Sequence, residues 1–60
     1  MIVKIDIKNL PPVERLKGNF IVARRDDYTA KLWYYGSYET EERAYDVALE
    51  LENGIVCERS

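Results

Sequence analysis

Residues 20–54 read FIVARRDDYTAKLWYYGSYETEERAYDVALELENG, and the fold turns on how this stretch is parsed. Phe20 to Arg25 and Tyr28 to Tyr35 are two runs of β-branched and aromatic residues on either side of Asp26-Asp27. Such runs around a two-residue break predict a tight hairpin. Pairing about that turn sets Arg25 opposite Tyr28, Arg24 opposite Thr29 and Val22 opposite Lys31. Ile21, Ala23, Ala30, Leu32 and Tyr34 then share one face. Phe20, Val22, Arg24, Thr29, Lys31, Trp33 and Tyr35 share the other. A one-residue slip would exchange the two faces, so the surface depends on the register.

Beyond the hairpin, residues 36–39 break the strand and Thr40 is placed as a helix N-cap. Glu41 and Glu42 follow in the first turn, where negative charge complements the helix dipole. Ala44, Val47, Ala48 and Leu51 recur at i, i+3, i+4 and i+7, one apolar stripe widened by Tyr45 and Leu49. Asn53-Gly54 reads as a left-handed cap, with Ile55 folding back onto the last turn.

Before the hairpin, residues 2–8 alternate from Val3 onward, with Val3, Ile5 and Ile7 on one side and Lys4, Asp6 and Lys8 on the other. That period of two predicts a half-buried strand. Pro11-Pro12 excludes its continuation, because proline supplies no ladder donor. Residues 9–19 form a connector in which Val13 to Leu16 can make one short helical turn. Two strands alone are marginal, so the first strand is expected as the third of the sheet. The expected fold is α+β: a three-stranded antiparallel sheet packed on one C-terminal amphipathic helix, in the order β-β-β-α, as a single domain over residues 1–60.

The chain has 60 residues, 33% of them charged, with a net charge of −2 and no histidine. A domain this small buries only about 60% of its unfolded surface, which leaves no room for a cleft between lobes. Without histidine the usual general base and the commonest metal ligand are missing. The lone Cys57 excludes a disulfide framework and points to a reducing, cytoplasmic setting. No apolar run is long enough for a membrane span or a signal-peptide core. The reading is a non-enzymatic monomer with no cofactor, no metal site and no membrane partner. Met1 at the start and polar Glu58-Arg59-Ser60 at the end favour a complete reading frame.

Charge is unevenly spread. Up to Tyr38 there are seven basic residues against four acidic ones; after it there are two against seven. The sheet half is mildly basic and the helical tail strongly acidic. The expected exposed sheet face gathers Lys4, Lys8, Arg24, Lys31, Trp33 and Tyr35. Arginine and lysine bind phosphate oxygens and base edges, and an exposed tryptophan stacks on bases or packs on sugars. The same residue types also anchor protein interfaces. The plainer alternatives are a buried Trp33 and a sheet face that is charged only for solubility.

The stretch from Tyr35 to Ala44, with Gly36, Tyr38 and Thr40 followed by Ala44, resembles a motif of two families of DNA-binding domains. One is the plant ethylene-response-factor (APETALA-type) domain, the other the arm-binding N-terminal domain of phage and transposon tyrosine recombinases (integrases). The resemblance implies three strands packed on one helix, with the sheet laid in the major groove of duplex DNA. It implies Arg24, Lys31 and Trp33 as contacts. Here Tyr45-Asp46 follows Ala44 directly, a long Pro-Pro connector separates the first strand, and the basic content is low. The rival expectation is a protein-interaction module, such as a small phage or prophage protein that binds a host factor through the aromatic face or the acidic helix.

Overall fold

The computed structural model describes residues 2–3, 7 and 9–58. In chain order these form strand β1 (Ile2–Val3), a 3-10 turn at Val13–Arg15, β2 (Phe20–Arg25), β3 (Leu32–Tyr38), helix α1 (Glu41–Leu49) and β4 (Gly54–Glu58). The strands make one sheet in the order β1-β4-β2-β3. β2 runs antiparallel to both β3 and β4, while β1 adds to β4 in parallel.

An α+β fold with a three-stranded antiparallel sheet and one helix is therefore present. The helix is not C-terminal. After α1 the chain returns as β4 and inserts between β1 and β2, so the first strand is not the third member of an antiparallel trio. The physical reason lies in Ile55, Val56 and Cys57. A β-branched pair and a small apolar residue in succession suit a strand buried on both faces.

α1 is a short helix with a well-made start. Thr40 is extended (φ −123°, ψ 149°), and its Oγ1 accepts from the Arg43 N–H at 3.2 Å. The helix stops at Leu49, two residues before the end of the apolar stripe. Its last turn tightens instead, with the Glu50 and Leu51 N–H groups donating to the Val47 and Ala48 carbonyls, both at 3.1 Å. The left-handed residue is Asn53 (φ 61°), not Gly54, which already belongs to β4. Leu49 consequently faces solvent, and Ile55 packs across the sheet from the helix rather than back onto it.

The hairpin is looser than a two-residue turn. Neither Asp26 nor Asp27 supplies the positive φ that such a turn needs. Asp26 instead organises a loop over residues 26–31. Its Oδ1 accepts from the Tyr28 N–H at 2.7 Å and the Thr29 N–H at 3.2 Å, and Ala30 turns the chain at φ 59°. Arg25 pairs with Leu32 and Arg24 with Trp33. The register is displaced by four residues, an even number, so Arg24 and Trp33 still share a face. Between Val22 and Ala23 it shifts again. Val22 pairs with Gly36 and Ala23 with Tyr34, which leaves Tyr35 as a bulge.

Both faces of the sheet are covered. Ile21, Val22 and Ala23 in succession are 3%, 0% and 0% exposed. Val22 and Val56 lie under α1 against Ala44 and Ala48, whose small side chains let helix and sheet approach closely. On the other face Ile21, Ala23, Leu32 and Cys57 form a second cluster, against which Ile7 and Leu16 pack. The expected free sheet face is cut back to its Arg24–Trp33 end, beyond α1. Three apolar residues in a row in β2 require cover on each side.

Cys57 is buried in that second cluster, and burial raises its thiol above the ordinary value. Iodoacetamide is expected to alkylate the native chain at least about a hundredfold more slowly than the chain in denaturant. The same shift couples folding to pH. The unfolded thiol ionises first, from about pH 8.5, so the contribution is complete below that pH and is lost as pH climbs toward the higher folded value. Labelling rates and denaturant melts at pH 7 and 9.5 check both expectations.

Candidate functional site

Of the six residues expected to form a surface, the structure brings two into direct register. Arg24 and Trp33 are cross-strand partners on the helix side of the sheet, beyond the end of α1. Trp33 is 40% exposed, which rules against the buried reading. Tyr35 is 54% exposed but sits in the bulge, so it does not share Trp33's place on the pleat. Lys31 lies at the end of the loop, exposed, its backbone carbonyl accepting from the Asp26 N–H at 2.8 Å. Lys4 and Lys8 lie outside the described residues.

Around Arg24 and Trp33 the surface dips into an open concavity of about 440 Å3. Arg25, Tyr28 and three carboxylates, Asp26, Asp27 and Glu52, complete its walls. Asp27 is held in place: its Oδ1 accepts from the Asn53 Nδ2 at 2.7 Å, and the Asn53 carbonyl accepts from the Arg25 N–H at 3.1 Å. The hairpin loop and the α1–β4 turn are thus tied together at this end of the sheet. Two arginines and three acidic residues line it, so the concavity is mixed in charge. The expectation of an electropositive aromatic face missed this, because Glu52 and Asn53 arrive from a turn then read as the end of the helix.

Chemically the site offers an aromatic ring beside an arginine fork, with a fully exposed Tyr28 at the rim. It also adjoins the outer edge of β3, which has no strand partner among the described residues. Among the described residues no group of histidine, cysteine or carboxylate side chains could hold a metal ion, and no helix is long and apolar enough to cross a membrane. No protein-family model, curated protein or solved structure matches the chain.

Proposed function

We propose that this chain is a small non-enzymatic DNA-binding module that works from the β3 end of its sheet. The observation that carries the reading is the pairing of Arg24 with a solvent-facing Trp33. Aromatic rings stack on any base, and a neighbouring guanidinium takes a phosphate or a base edge. Tyr35 on the bulge and Lys31 at the loop end extend the surface along β3. The stretch from Tyr35 to Ala44 adds its resemblance to the DNA-binding families. With both sheet faces covered, contact runs along an edge rather than across a face, which suits an unpaired strand at least as well as a duplex groove.

The test uses Trp33 itself, the only tryptophan of the chain. Its fluorescence is followed during titration with a short oligothymidylate and with a random duplex at low salt. Quenching is expected, and the affinity should fall steeply as salt is added. Anisotropy of a labelled oligonucleotide should show Trp33→Ala weakening binding about tenfold or more. If neither DNA form binds at low salt, the reading is wrong.

A second reading is a protein-interaction module, favoured by the three acidic residues that line the concavity with Arg24 and by the edge of β3, which has no strand partner among the described residues. An extended segment of a partner could add to that edge, with Trp33 as its anchor. Its mark is binding that survives Lys31→Ala and added salt but is lost with Trp33→Ala.

A further inference from the structure

At the other end of β3 the connector, the strand and the first turn of α1 line a larger, open cleft of about 780 Å3. Three cations line it, each from a different segment: Arg15 from the 3-10 turn, Lys17 from the connector and Arg43 from α1. Glu39 is the one carboxylate on its wall, and Tyr34 and Ser37 bring hydroxyls. We propose that this cleft is a binding site for a phosphate group, a site separate from the Trp33 surface and independent of the reading given to it.

Three observations carry the assignment. First, the charge is net positive on a molecule whose overall charge is negative. Among the described residues none of the three cations is paired with a carboxylate. Second, the backbone of the connector wall is held in place, while the three cationic side chains on the walls are exposed. The Lys17 N–H donates to the Oγ of Ser37, twenty residues away and buried, at 2.9 Å. Gly18 lies so close to the Tyr38 carbonyl that a Cβ there would overlap it. The connector is therefore held against β3, and Arg15 and Lys17 come with it.

Third, Arg43 breaks a local rule. Thr40 is the N-cap, so Arg43 occupies the position where a capping box places Glu or Gln. Arg43 is also the only cation of α1, and it stands at the positive end of the helix dipole, where basic residues are disfavoured. Departures of this kind from local preference mark functional positions. A tetrahedral anion answers the arrangement: the guanidinium groups of Arg15 and Arg43 and the Lys17 ammonium meet its charge, while the Tyr34 hydroxyl donates to the Ser37 Oγ at 3.4 Å and braces the wall. The volume exceeds that of free phosphate, so the group can be an inorganic anion or one phosphate of a nucleic-acid backbone.

The experiment is an NMR titration of the whole labelled chain, first with sodium phosphate at constant ionic strength, then with a thymidine hexanucleotide. Saturable shifts are expected at Lys17, Ser37 and residues 40–43 in the millimolar range or below. Arg15→Gln and Arg43→Gln should each weaken the effect severalfold, and the pair at least tenfold, with the rest of the spectrum unchanged. If the hexanucleotide moves the same amides more than tenfold more tightly, the source is a backbone phosphate; if it does not, the source is the free anion. Shifts that fail to saturate, that sodium chloride reproduces, or that persist in the double variant overturn the proposal. A hexanucleotide that moves Trp33 alone, with phosphate inert, overturns it while leaving the DNA reading intact.

Discussion

A chain ending at Asn53 is expected not to fold. β4 lies between β1 and β2, so its loss leaves β1 without a partner and exposes the inner edge of β2. It also opens both halves of the core. Val56, 2% exposed, fills the space under α1, and Cys57, 3% exposed, belongs to the cluster on the opposite face. Burying an aliphatic side chain of this size is worth about 1.5–3 kcal/mol. A core in a domain this small rarely supplies more than about 3–5 kcal/mol of net stability. Losing Ile55, Val56 and Cys57 together exceeds that reserve, and the remaining hairpin and helix are marginal by themselves. Circular dichroism and thermal melts of residues 1–53 beside the full chain check this. A cooperative transition in the shorter chain would contradict the central placement of β4.

The second large effect falls on single glycines. At Gly18 an added Cβ would overlap the Tyr38 carbonyl oxygen and lie 2.6 Å from the Glu39 Cα, both backbone atoms. At Gly54 it would meet the Ala48 carbonyl, and lie 3.1 Å from the Ala48 Cα. Backbone atoms of a strand end and a helix cannot turn aside as a side chain can. Overpacking of this kind costs about 1–3 kcal/mol. In a domain of this length each kcal/mol moves the melting midpoint by about 4–8 °C. Gly18→Ala and Gly54→Ala should therefore each lower it by roughly 5–20 °C. Gly36 supplies the contrast. There the Cβ would meet the hydroxyl of Tyr38 at 2.8 Å, the far end of a side chain rather than backbone, and Gly36→Ala should cost clearly less. Differential scanning calorimetry of the three variants decides; equal losses at all three positions would refute the distinction.

Part of the middle of the chain is legible from its residues, although β3 runs on through Gly36 and Ser37 to Tyr38, where a break was expected. Thr40 as N-cap and the apolar stripe of Ala44, Val47, Ala48 and Leu51, of which Ala44 and Ala48 are buried, follow from capping chemistry and periodicity. The side that Arg24 and Trp33 share survived an incorrect loop length, because the displacement of register was even. The bulge at Tyr35 was not legible. Only Gly36, set opposite Val22 with the Tyr38 ring over it, hints that the pleat is interrupted there.

The larger misreading concerned Ile21-Val22-Ala23 and Ile55-Val56-Cys57. Each is an unbroken apolar triplet, and neither alternates. An alternating pattern imposed on the first gave a free sheet face, and a cap read at Asn53-Gly54 turned the second into a tail. Once both triplets are strands, the sheet needs cover on two sides, which the helix and the connector provide. The candidate site suffered in proportion. Glu52 lines the same concavity as Arg24 only because β4 follows, and Arg15, Lys17 and Arg43 line one cleft only through tertiary packing. No spacing in the chain encodes either meeting.

The parallel pairing of Ile2 with Val56 and of Val3 with Cys57 also governs how fast the molecule can form. These partners are more than fifty residues apart, and β2 meets β4 from Phe20 to Glu58. The chain must close nearly its whole length before those contacts repay the lost entropy. Refolding should accordingly take milliseconds to seconds, at the slow end for so short a chain. A stopped-flow trace with the hairpin and α1 forming early and β1 docking last would be its kinetic signature.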